Sequence, residues 1–500
     1  MGQYDIWEHK GGLIAEKTEW TTDYDKGEGT IIYTIRQGVN FILDPDSESS
    51  RMVGGRECNA DDVVAYLTKV TTNPISYIYR TNHALRNAKI EKTGPWEVSV
   101  TVPIDALITG IFRFGDVTHI MPKELLDYDL ISQWKNSFGT GSYYIDDWVP
   151  SSAAVMVKNP DYWMTNPVGP GKGDQLPYID KIRFLFIPDL STRHAALRTA
   201  KVDRMGGFEW EDAVMMRDTT VGLLERAGLP GSVSNSPESL DFPADTPPFD
   251  DVRVRRALHM ATDLQAIDDA LANDSNLLLN WPFPLTPGYE DLYLGLDDPD
   301  CPESVKELFV YNPEKAKELL AEAGYPDGFK TKALMVSSRV DYWAIIKDMW
   351  LDVGVDLALD VRDSGVRTTI LNKGSGYEGL TDGGMAPVSV FHSCPTLTGT
   401  PSQPANTSHI FDPVIDEGLE EIRHLVLTEG MPAGMARMRE LLKYILPSAY
   451  AVPIPRVPKY MFWWPWLKNY SGETTIGYFN DTTFASYIWI DQDLKKSMGY

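Results

Sequence analysis

The side chains with the greatest chemical capacity in this sequence are 71 carboxylates, eight histidines and three cysteines. The sequence contains no G-x-S-x-G nucleophile elbow and no H-E-x-x-H zinc motif. The phrase GPGKGD at 169–174 fails the spacing of a Walker A loop, which predicts a surface turn. A carboxylate pair for glycoside hydrolysis stays open, because so many acids guarantee chance pairs. A binding cleft without a catalyst is the simpler interpretation, with a secreted polysaccharide hydrolase as the alternative.

Metal-binding and redox chemistry have equally little support in the sequence. Cys58, Cys301 and Cys394 stand in unrelated contexts with no C-x-x-C pair, so neither a disulfide framework nor a zinc knuckle is predicted. His392 and His409 are the nearest approach to a metal pair, but no carboxylate or cysteine stands at ligand spacing. We therefore expect no metal, no cofactor and no catalytic residue.

The charge balance excludes one class of partner. The formal net charge is -25 at pH 7, and no cluster of lysine and arginine interrupts it. Such a chain repels phosphate backbones, so we expect no nucleic acid partner. No apolar run approaches the roughly 20 residues that span a bilayer, and MGQYDIWEHK at 1–10 has neither the basic start nor the hydrophobic centre of an export signal.

Short strands and capped helices alternate along the chain, which predicts a mixed α/β architecture. In TIIYTIRQGVNF, Ile31, Tyr33 and Ile35 recur with the period of a strand. Asn59 and Asn312 stand where each can cap a following helix, and Pro313 occupies the first helical position, where its missing N–H costs nothing.

A segment rich in proline, TPPFDDVRVRRALHMATD at 246–263, predicts the first helix of a new lobe. Asp250 can cap this helix, and Val254, Leu258 and Ala261 recur on one of its faces. The preceding SVSNSPESLDFPADTPP is rich in serine, proline and aspartate, as is typical of a crossing between two folded bodies. Near the C-terminus, YMFWWPWL at 460–467 predicts a buried strand and turn that return the chain to its first lobe.

Several phrases together resemble the family 5 extracellular solute-binding proteins, the oligopeptide, dipeptide and nickel receptors of ABC importers. NPDYW is the family's phrase letter for letter, GTGSYYIDDW is similar to its "GTGPY.l..w", and PPFDDVRVRRALHMATD is similar to its "pPfdDvrVRqAl.yAiD". Each motif alone is weak, but seven occur in the family's order. They lie at 12–41, 57–67, 139–148, 159–163, 176–203, 247–263 and 311–329.

The resemblance implies an α/β, two-lobed periplasmic-binding-protein fold of type II with an extra subdomain on lobe one. Lobe one would hold 1–240, with the extra subdomain at roughly 36–175, lobe two would hold 241–458, and 459–500 would return to lobe one. A peptide or other small polar solute would bind between the lobes, and hinge closure would present it to an ABC permease in the membrane. The receptor would work as a monomer outside the cytoplasm, in the periplasm or lipid-anchored at the cell surface.

The sequence departs from the family in three places. Family members carry a leader and further first-lobe strands before the first phrase, so the resemblance implies a truncated N-terminus. The insertion ILDPDSESSRMVGGRE at 42–57 predicts a surface loop. Where peptide receptors have a tryptophan and then an Asp-x-Pro phrase, this chain reads YEGLTDGGMAPVSVFHSC, with Asp382 the carboxylate in its central part. A sugar or other polar solute is therefore as well supported as a peptide.

The candidate ligand contacts come from two loops that the resemblance places near the cleft. Trp281 and Tyr289 flank the phrase WPFPLTPGY, which corresponds to a "P.p.g" loop of the family. Thr381, Asp382 and Phe391 belong to the loop that departs from the peptide receptors. For each of the five, packing in a core is an equally good interpretation.

Overall fold

The protein forms a mixed α/β structure, as the sequence predicts. The computed structural model describes residues 12–116, 118–126, 133–227, 238–272, 278–285, 289–372, 377–383, 394, 397, 406–455, 459–473 and 483–500. The chain divides into two compact units. The terminal unit contains Asp5–Ala227 and Tyr460–Tyr500, and the central unit contains Gly228–Lys459.

The first part of the terminal unit has two small antiparallel sheets. Its described strands are β1 (Ala15–Asp23), β2 (Glu28–Ile35), β3 (Lys89–Gly94), β4 (Glu97–Pro103), β5 (Tyr143–Val149), β6 (Ala153–Lys158), β7 (Lys181–Leu185), β8 (Arg204–Phe208) and β9 (Leu224–Ala227). One sheet has the order β1-β2-β4-β3 and the other β5-β6-β7. In β2, Ile31, Tyr33 and Ile35 are buried while their neighbours are partly exposed, which confirms the predicted period of two.

One helix of this part begins at the cap that the sequence predicts, and one predicted loop is corrected. They are α1 (Glu48–Val53), α2 (Ala60–Thr72), α3 (Tyr77–Thr81), α4 (Leu107–Asp116), α5 (Lys123–Leu126), α6 (Leu190–Arg198) and α7 (Trp210–Thr219). Asn59 caps α2 as expected. The prediction of a plain surface loop at 42–57 is wrong, because the insertion folds into α1. Ser47 caps that helix, and Ser50 is buried with its hydroxyl donating to the Ile42 carbonyl at 3.0 Å.

The central unit is built on one mixed sheet of five strands. The strands are β10 (Glu238–Asp241), β11 (Phe329–Val336), β12 (Val355–Arg362), β13 (Leu380–Gly383) and β14 (Ala451–Ile454), in the order β12-β11-β13-β10-β14. β11 is parallel to β12 and to β13. β10 is antiparallel to both β13 and β14, so β14 runs in the same direction as β13.

The central unit also contains helices, some of which pack against this sheet. They are α8 (Val252–Met260), α9 (Leu264–Ile267), α10 (Glu303–Lys306), α11 (Pro313–Glu322), α12 (Val340–Leu351), α13 (Ser364–Asn372), α14 (Pro413–Thr428) and α15 (Met431–Ile445). Val254, Leu258 and Ala261 are fully buried, which confirms the predicted apolar face of α8. The predicted cap is wrong by one residue: Asp251, not Asp250, accepts the Arg253 N–H at 2.8 Å.

The core of the central unit lies between the sheet and α8 and α12. α12 connects the parallel strands β11 and β12, and its Trp343 and Trp350 are fully buried. The indole N–H of Trp350 donates to the Leu258 carbonyl at 3.1 Å and to the Thr262 hydroxyl at 2.9 Å. This large ring of the core therefore also satisfies its polar atom, as a buried tryptophan usually does.

The last part of the chain belongs to the terminal unit. It forms β15 (Tyr460–Trp463), β16 (Leu467–Lys468), β17 (Trp489–Ile490) and α16 (Gln492–Ser497). β15 lies between β8 and β9 and is buried along its whole length, which confirms the buried strand predicted at 460–467. Trp464 and Trp466 follow it and stack with their ring centroids 4.6 Å apart.

Candidate functional site

Four strands of the central sheet run in the same direction and end at the same edge of the sheet. β11, β12, β13 and β14 end there at Val336, Arg362, Gly383 and Ile454. We call this the carboxyl edge. In open α/β sheets, ligands bind outside the carboxyl ends of the strands, so this edge is the candidate site of the central unit.

Asp382, one of the predicted contacts, lies on β13 near this edge between two arginines. Its carboxylate oxygens are 2.8 Å from Arg367 Nε and 3.5 Å from Arg339 Nε. The Asp382 side chain is 5% exposed, and those of Arg367 and Arg339 are 16% and 24% exposed. Arg367 also donates to the backbone carbonyl of Asp382. A buried carboxylate needs such compensation, so the charge of Asp382 is engaged within the protein.

Thr381 precedes Asp382 on the same strand and is fully buried. Its hydroxyl donates to the Leu334 carbonyl of β11 at 3.0 Å. Arg367 Nη2 lies 3.3 Å from this hydroxyl oxygen of Thr381. The threonine therefore ties two neighbouring strands together at the position where the sequence predicts a ligand contact.

A second buried carboxylate, Asp241, lies across the ladder from Thr381 on β10. The Ser239 hydroxyl donates to Asp241 Oδ1 at 2.6 Å, and the Thr407 hydroxyl donates to Oδ2. Burial raises the pKa of Asp241 to about 6; the two hydroxyl bonds oppose this shift, and the negative charge of Asp382 adds to it. The group therefore changes charge close to neutral pH.

The segment with Trp281 approaches the carboxyl edge beside β14. Asn280 Nδ2 donates to the Ile454 carbonyl at 2.9 Å, which fixes this position. Asn280 and Trp281 are 5% and 4% exposed, yet Asn280 Oδ1 and Trp281 Nε1 have no hydrogen-bond partner among the described residues. Buried polar atoms are nearly always bonded, so this acceptor and this donor are suited to a polar solute.

The other two predicted contacts have different outcomes. Tyr289 is 3% exposed and immediately precedes the short helix Glu290–Leu292, which packs against α15. Phe391 lies outside the described residues. The structure thus places Thr381 and Asp382 on one strand and Trp281 beside another strand of the same edge.

Sequence reasoning missed Arg339, Arg367 and Asp241. Arg339 follows β11 at the carboxyl edge, and a basic residue just after a buried strand was the signal that could have found it. Arg367 lies within α13 and Asp241 within β10, where no local pattern distinguishes either from a surface charge.

The cysteines and the two histidines singled out in the sequence have different surroundings. Cys58, Cys301 and Cys394 are buried, and burial raises the pKa values of Cys58 and Cys394 to about 12, so these two thiols are poor nucleophiles. Among the described residues, no group of three histidine, cysteine or acidic side chains could hold a metal ion. His409 contacts Asp245, with Nδ1 2.8 Å from Oδ1, and His392 lies outside the described residues.

The central unit also has an open concavity of about 980 Å³, whose lining includes Leu278 and Leu279. Glu290, Asp291, Asp297 and Asp298 line it together with Arg439, which donates to Asp298 and to the Tyr293 carbonyl. None of the four described predicted contacts, Trp281, Tyr289, Thr381 and Asp382, lines this concavity. No helix in the described parts of the chain is long and apolar enough to cross a membrane.

Comparison with known proteins shows the family to which this chain belongs. The model of the bacterial extracellular solute-binding proteins, family 5 Middle, matches residues 12–397. The match covers well over half of the chain, and the chain belongs to this family. By its description, the family consists of solute-binding proteins that act outside the cell.

Individual relatives agree in fold. The chain is 26% identical over 358 residues to the glutathione-binding protein GsiB of Salmonella typhimurium, a match that covers 70% of this chain and 62% of that protein. The periplasmic binding protein DppA of Helicobacter pylori, in complex with the peptide STSA, has a TM-score of 0.73 at 20% identity, covering 96% of this chain and 89% of that one.

A further solved structure is similar over nearly the same extent. A dipeptide-binding protein of Pseudoalteromonas sp. SM9913, in complex with Met-Leu, has a TM-score of 0.71 at 17% identity, covering 92% of this chain and 88% of that one. These likenesses confirm the predicted type II periplasmic-binding-protein fold. The chain spans about 62% of the length of GsiB in the sequence match.

Proposed function

We propose that this protein is an extracytoplasmic receptor that captures a peptide or other small polar solute and delivers it to an ABC transporter permease. The observation that carries the proposal is family membership across residues 12–397. Relatives with the same fold were solved with a tetrapeptide and with a dipeptide, which supports a ligand of this size. In this proposal the protein is a monomer, performs no covalent chemistry and needs no cofactor.

The carboxyl edge is the part of the ligand site that we assign to the central unit. The unsatisfied acceptor of Asn280 and the unsatisfied donor of Trp281, as judged among the described residues, suit the N–H and C=O groups of a peptide or the hydroxyls of a sugar. Asp382 is held by two arginines and lies 5% exposed, which makes it a less accessible anchor for a ligand ammonium than the sequence predicts. Thr381, Tyr289 and Phe391 remain predicted contacts.

The lobe boundaries predicted at about 240 and 459, and the extra subdomain at 36–175, are retained in this proposal. Capture between two lobes, followed by closure, stays a prediction. A location outside the cytoplasm agrees with the description of the family. Placement in the periplasm or as a lipid-anchored receptor stays a prediction.

A hydrolase would need an acid and a base that both reach a substrate. Asp241 and Asp382 resemble such a pair, because they lie on neighbouring strands and the pKa of Asp241 is raised by burial. However, Asp241 is fully buried and Asp382 is engaged by Arg367 and Arg339. Neither carboxyl group has the exposure that acid and base catalysis require, so the receptor is the better proposal.

The experiment combines native mass spectrometry of the purified protein with calorimetric titration of three probes: Met-Leu, the tetrapeptide STSA and glutathione. A receptor retains a co-purified solute or binds a probe one to one and returns it unchanged. Incubation with peptide and oligosaccharide pools supplies the opposite test. Cleavage products, or the absence of both a co-purified solute and any bound probe, would overturn the proposal.

A further inference from the structure

Three parts of the central unit meet at the buried carboxyl group of Asp241. The group belongs to β10, the hydroxyl of Thr407 donates to it, and the backbone of Gly383, at the end of β13, lies directly against it. No Cβ fits at Gly383, because it would overlap the carboxylate of Asp241. One side chain therefore joins the end of β13 to the segment that contains Thr407.

Residues 406–410 form hydrogen bonds with one another and with the residues that follow β10. Asn406 Oδ1 accepts the Ile410 N–H at 2.9 Å, and Asn406 Nδ2 donates to the Ile410 carbonyl at 2.9 Å. The Ala244 N–H donates to the Ser408 carbonyl at 2.9 Å. The hydrogen bond from the Thr407 hydroxyl thus links this segment to the buried carboxyl group of Asp241.

We propose that Asp241 is a pH-responsive clasp that holds Thr407 against the end of β13. Gly383 precedes and Thr407 follows the predicted contact Phe391 in the sequence, so the clasp involves one described residue on each side of it. Its influence on ligand capture rests on the proposed function. The clasp itself can be tested on the protein alone.

The direction of the response follows from burial. Removal of the carboxylate from water raises its pKa to about 6, while the Ser239 and Thr407 bonds and the charge of Arg367 favour ionisation. An opening that hydrates Asp241 returns the pKa toward its ordinary 3.8, so opening releases a proton and becomes more favourable as pH rises. For these two values, the opening equilibrium grows about tenfold between pH 5 and pH 8.

The charged and titratable groups that face Asp241 come from several elements. β13 supplies Asp382, α13 supplies Arg367, and the residues just before β13 supply Tyr377, whose pKa is raised mainly by burial and further by the negative charge of Asp241. On the other side of β10, the β14 partners at 451–454 carry no titratable side chain. The hydroxyl of Tyr377 lies 3.4 Å from Nε2 of His409, which extends the cluster.

Histidine is the other residue type that changes charge in this pH range, so the test must separate the two groups. The matched set consists of the wild type, Asp241→Asn, Thr407→Val and His409→Gln. Asparagine keeps the size of the buried group without its titration. Valine keeps the size of Thr407 without its hydroxyl.

The experiment is hydrogen exchange with mass spectrometry on the full chain at pH 5, 6, 7 and 8, corrected for intrinsic exchange rates. The reporters are the hydrogen-bonded amides of Ala244, His409 and Ile410. We expect the wild type and His409→Gln to exchange about tenfold faster at pH 8 than at pH 5 at these amides. Asp241→Asn should exchange slowly without a pH slope, and Thr407→Val should exchange rapidly at every pH.

A slope that persists in Asp241→Asn, or that disappears in His409→Gln, would overturn the clasp, as would a wild type without a slope. If Asp241→Asn does not fold, the slope of the wild type and its persistence in His409→Gln decide the question. The probes of the proposed function are titrated on the same samples. Exchange that behaves as expected in a protein that retains no co-purified solute and binds none of the probes would leave the clasp standing and remove the receptor proposal.

Discussion

The backbone of Gly383 lies directly against the carboxylate of Asp241, so the end of β13 is closed to any side chain at this position. β13 and β10 are paired here in the register Ser239↔Gly383 and Asp241↔Thr381. Glycine is required at the end of this strand because of its neighbour and not because of its own backbone conformation.

Replacement of Gly383 by alanine is therefore expected to destabilise the central unit by about 1–3 kcal/mol, the usual cost of overpacking. The measurement is urea unfolding followed by circular dichroism. The control is Gly115→Ala in α4, where an added Cβ would meet no described atom within 4 Å and alanine favours the helix. Equal stabilities of the two variants would contradict the contact between Gly383 and Asp241.

Asp241→Asn is expected to stabilise the protein at neutral pH. The pKa of Asp241 is raised from 3.8 to about 6, so the contribution of this group to the free energy of unfolding is greatest below pH 3.8 and is lost as pH rises through about 6. A shift of about two pKa units corresponds to about 3 kcal/mol of unfolding free energy, which the wild type loses when Asp241 ionises. The neutral amide of asparagine has no such loss. Urea unfolding between pH 4.5 and pH 8 should show the advantage of Asp241→Asn growing up to about pH 6 and then remaining constant. A variant less stable than the wild type at pH 8 would refute the raised pKa.

Local signals in the sequence predicted much of the fold. Asn59 and Asn312 cap their helices because capping depends on one side chain and the next three backbone N–H groups. The alternation in β2 and the apolar face of α8 were also predicted, since each is decided within a few residues. The cap of α8 was wrong by one position because Asp250 and Asp251 are chemically equivalent, and the three-dimensional turn selects between them.

The candidate site was predicted less completely because its groups meet across strands that are distant in sequence. Asp382 was predicted from its loop, but the burial of its charge depends on Arg367 and Arg339, which come from α13 and the residues after β11. Asp241 and Thr407 are 166 positions apart and show no common motif. Such contacts are consequences of sheet order, which single-residue patterns do not encode.

Arg367→Met is expected to destabilise the central unit by about 3–5 kcal/mol, because it removes the closer partner of a buried carboxylate. Arg367 Nε lies 2.8 Å from Asp382 Oδ1, and both side chains are largely buried. The control is Lys315→Met, which removes the pair of Lys315 with Glu318 at 3.0 Å, where both side chains are exposed. That change should cost less than about 1 kcal/mol in the same unfolding assay. Similar losses for both variants would mean that Asp382 does not depend on Arg367.

Trp281→Phe separates a ligand contact from a core residue. The indole N–H of Trp281 is buried without a hydrogen-bond partner among the described residues, so its removal should cost the unliganded protein little beyond the smaller ring. If this N–H donates to the bound solute, the Kd of the probe that the wild type binds should rise about 5–10-fold, as expected for one lost hydrogen bond. Trp343→Phe is the matched control, because its N–H is also buried without a partner among the described residues but its ring lies in the core against the sheet. Calorimetric titration should show a raised Kd for Trp281→Phe and an unchanged Kd for Trp343→Phe. Equal affinities for both variants would remove Trp281 from the ligand site.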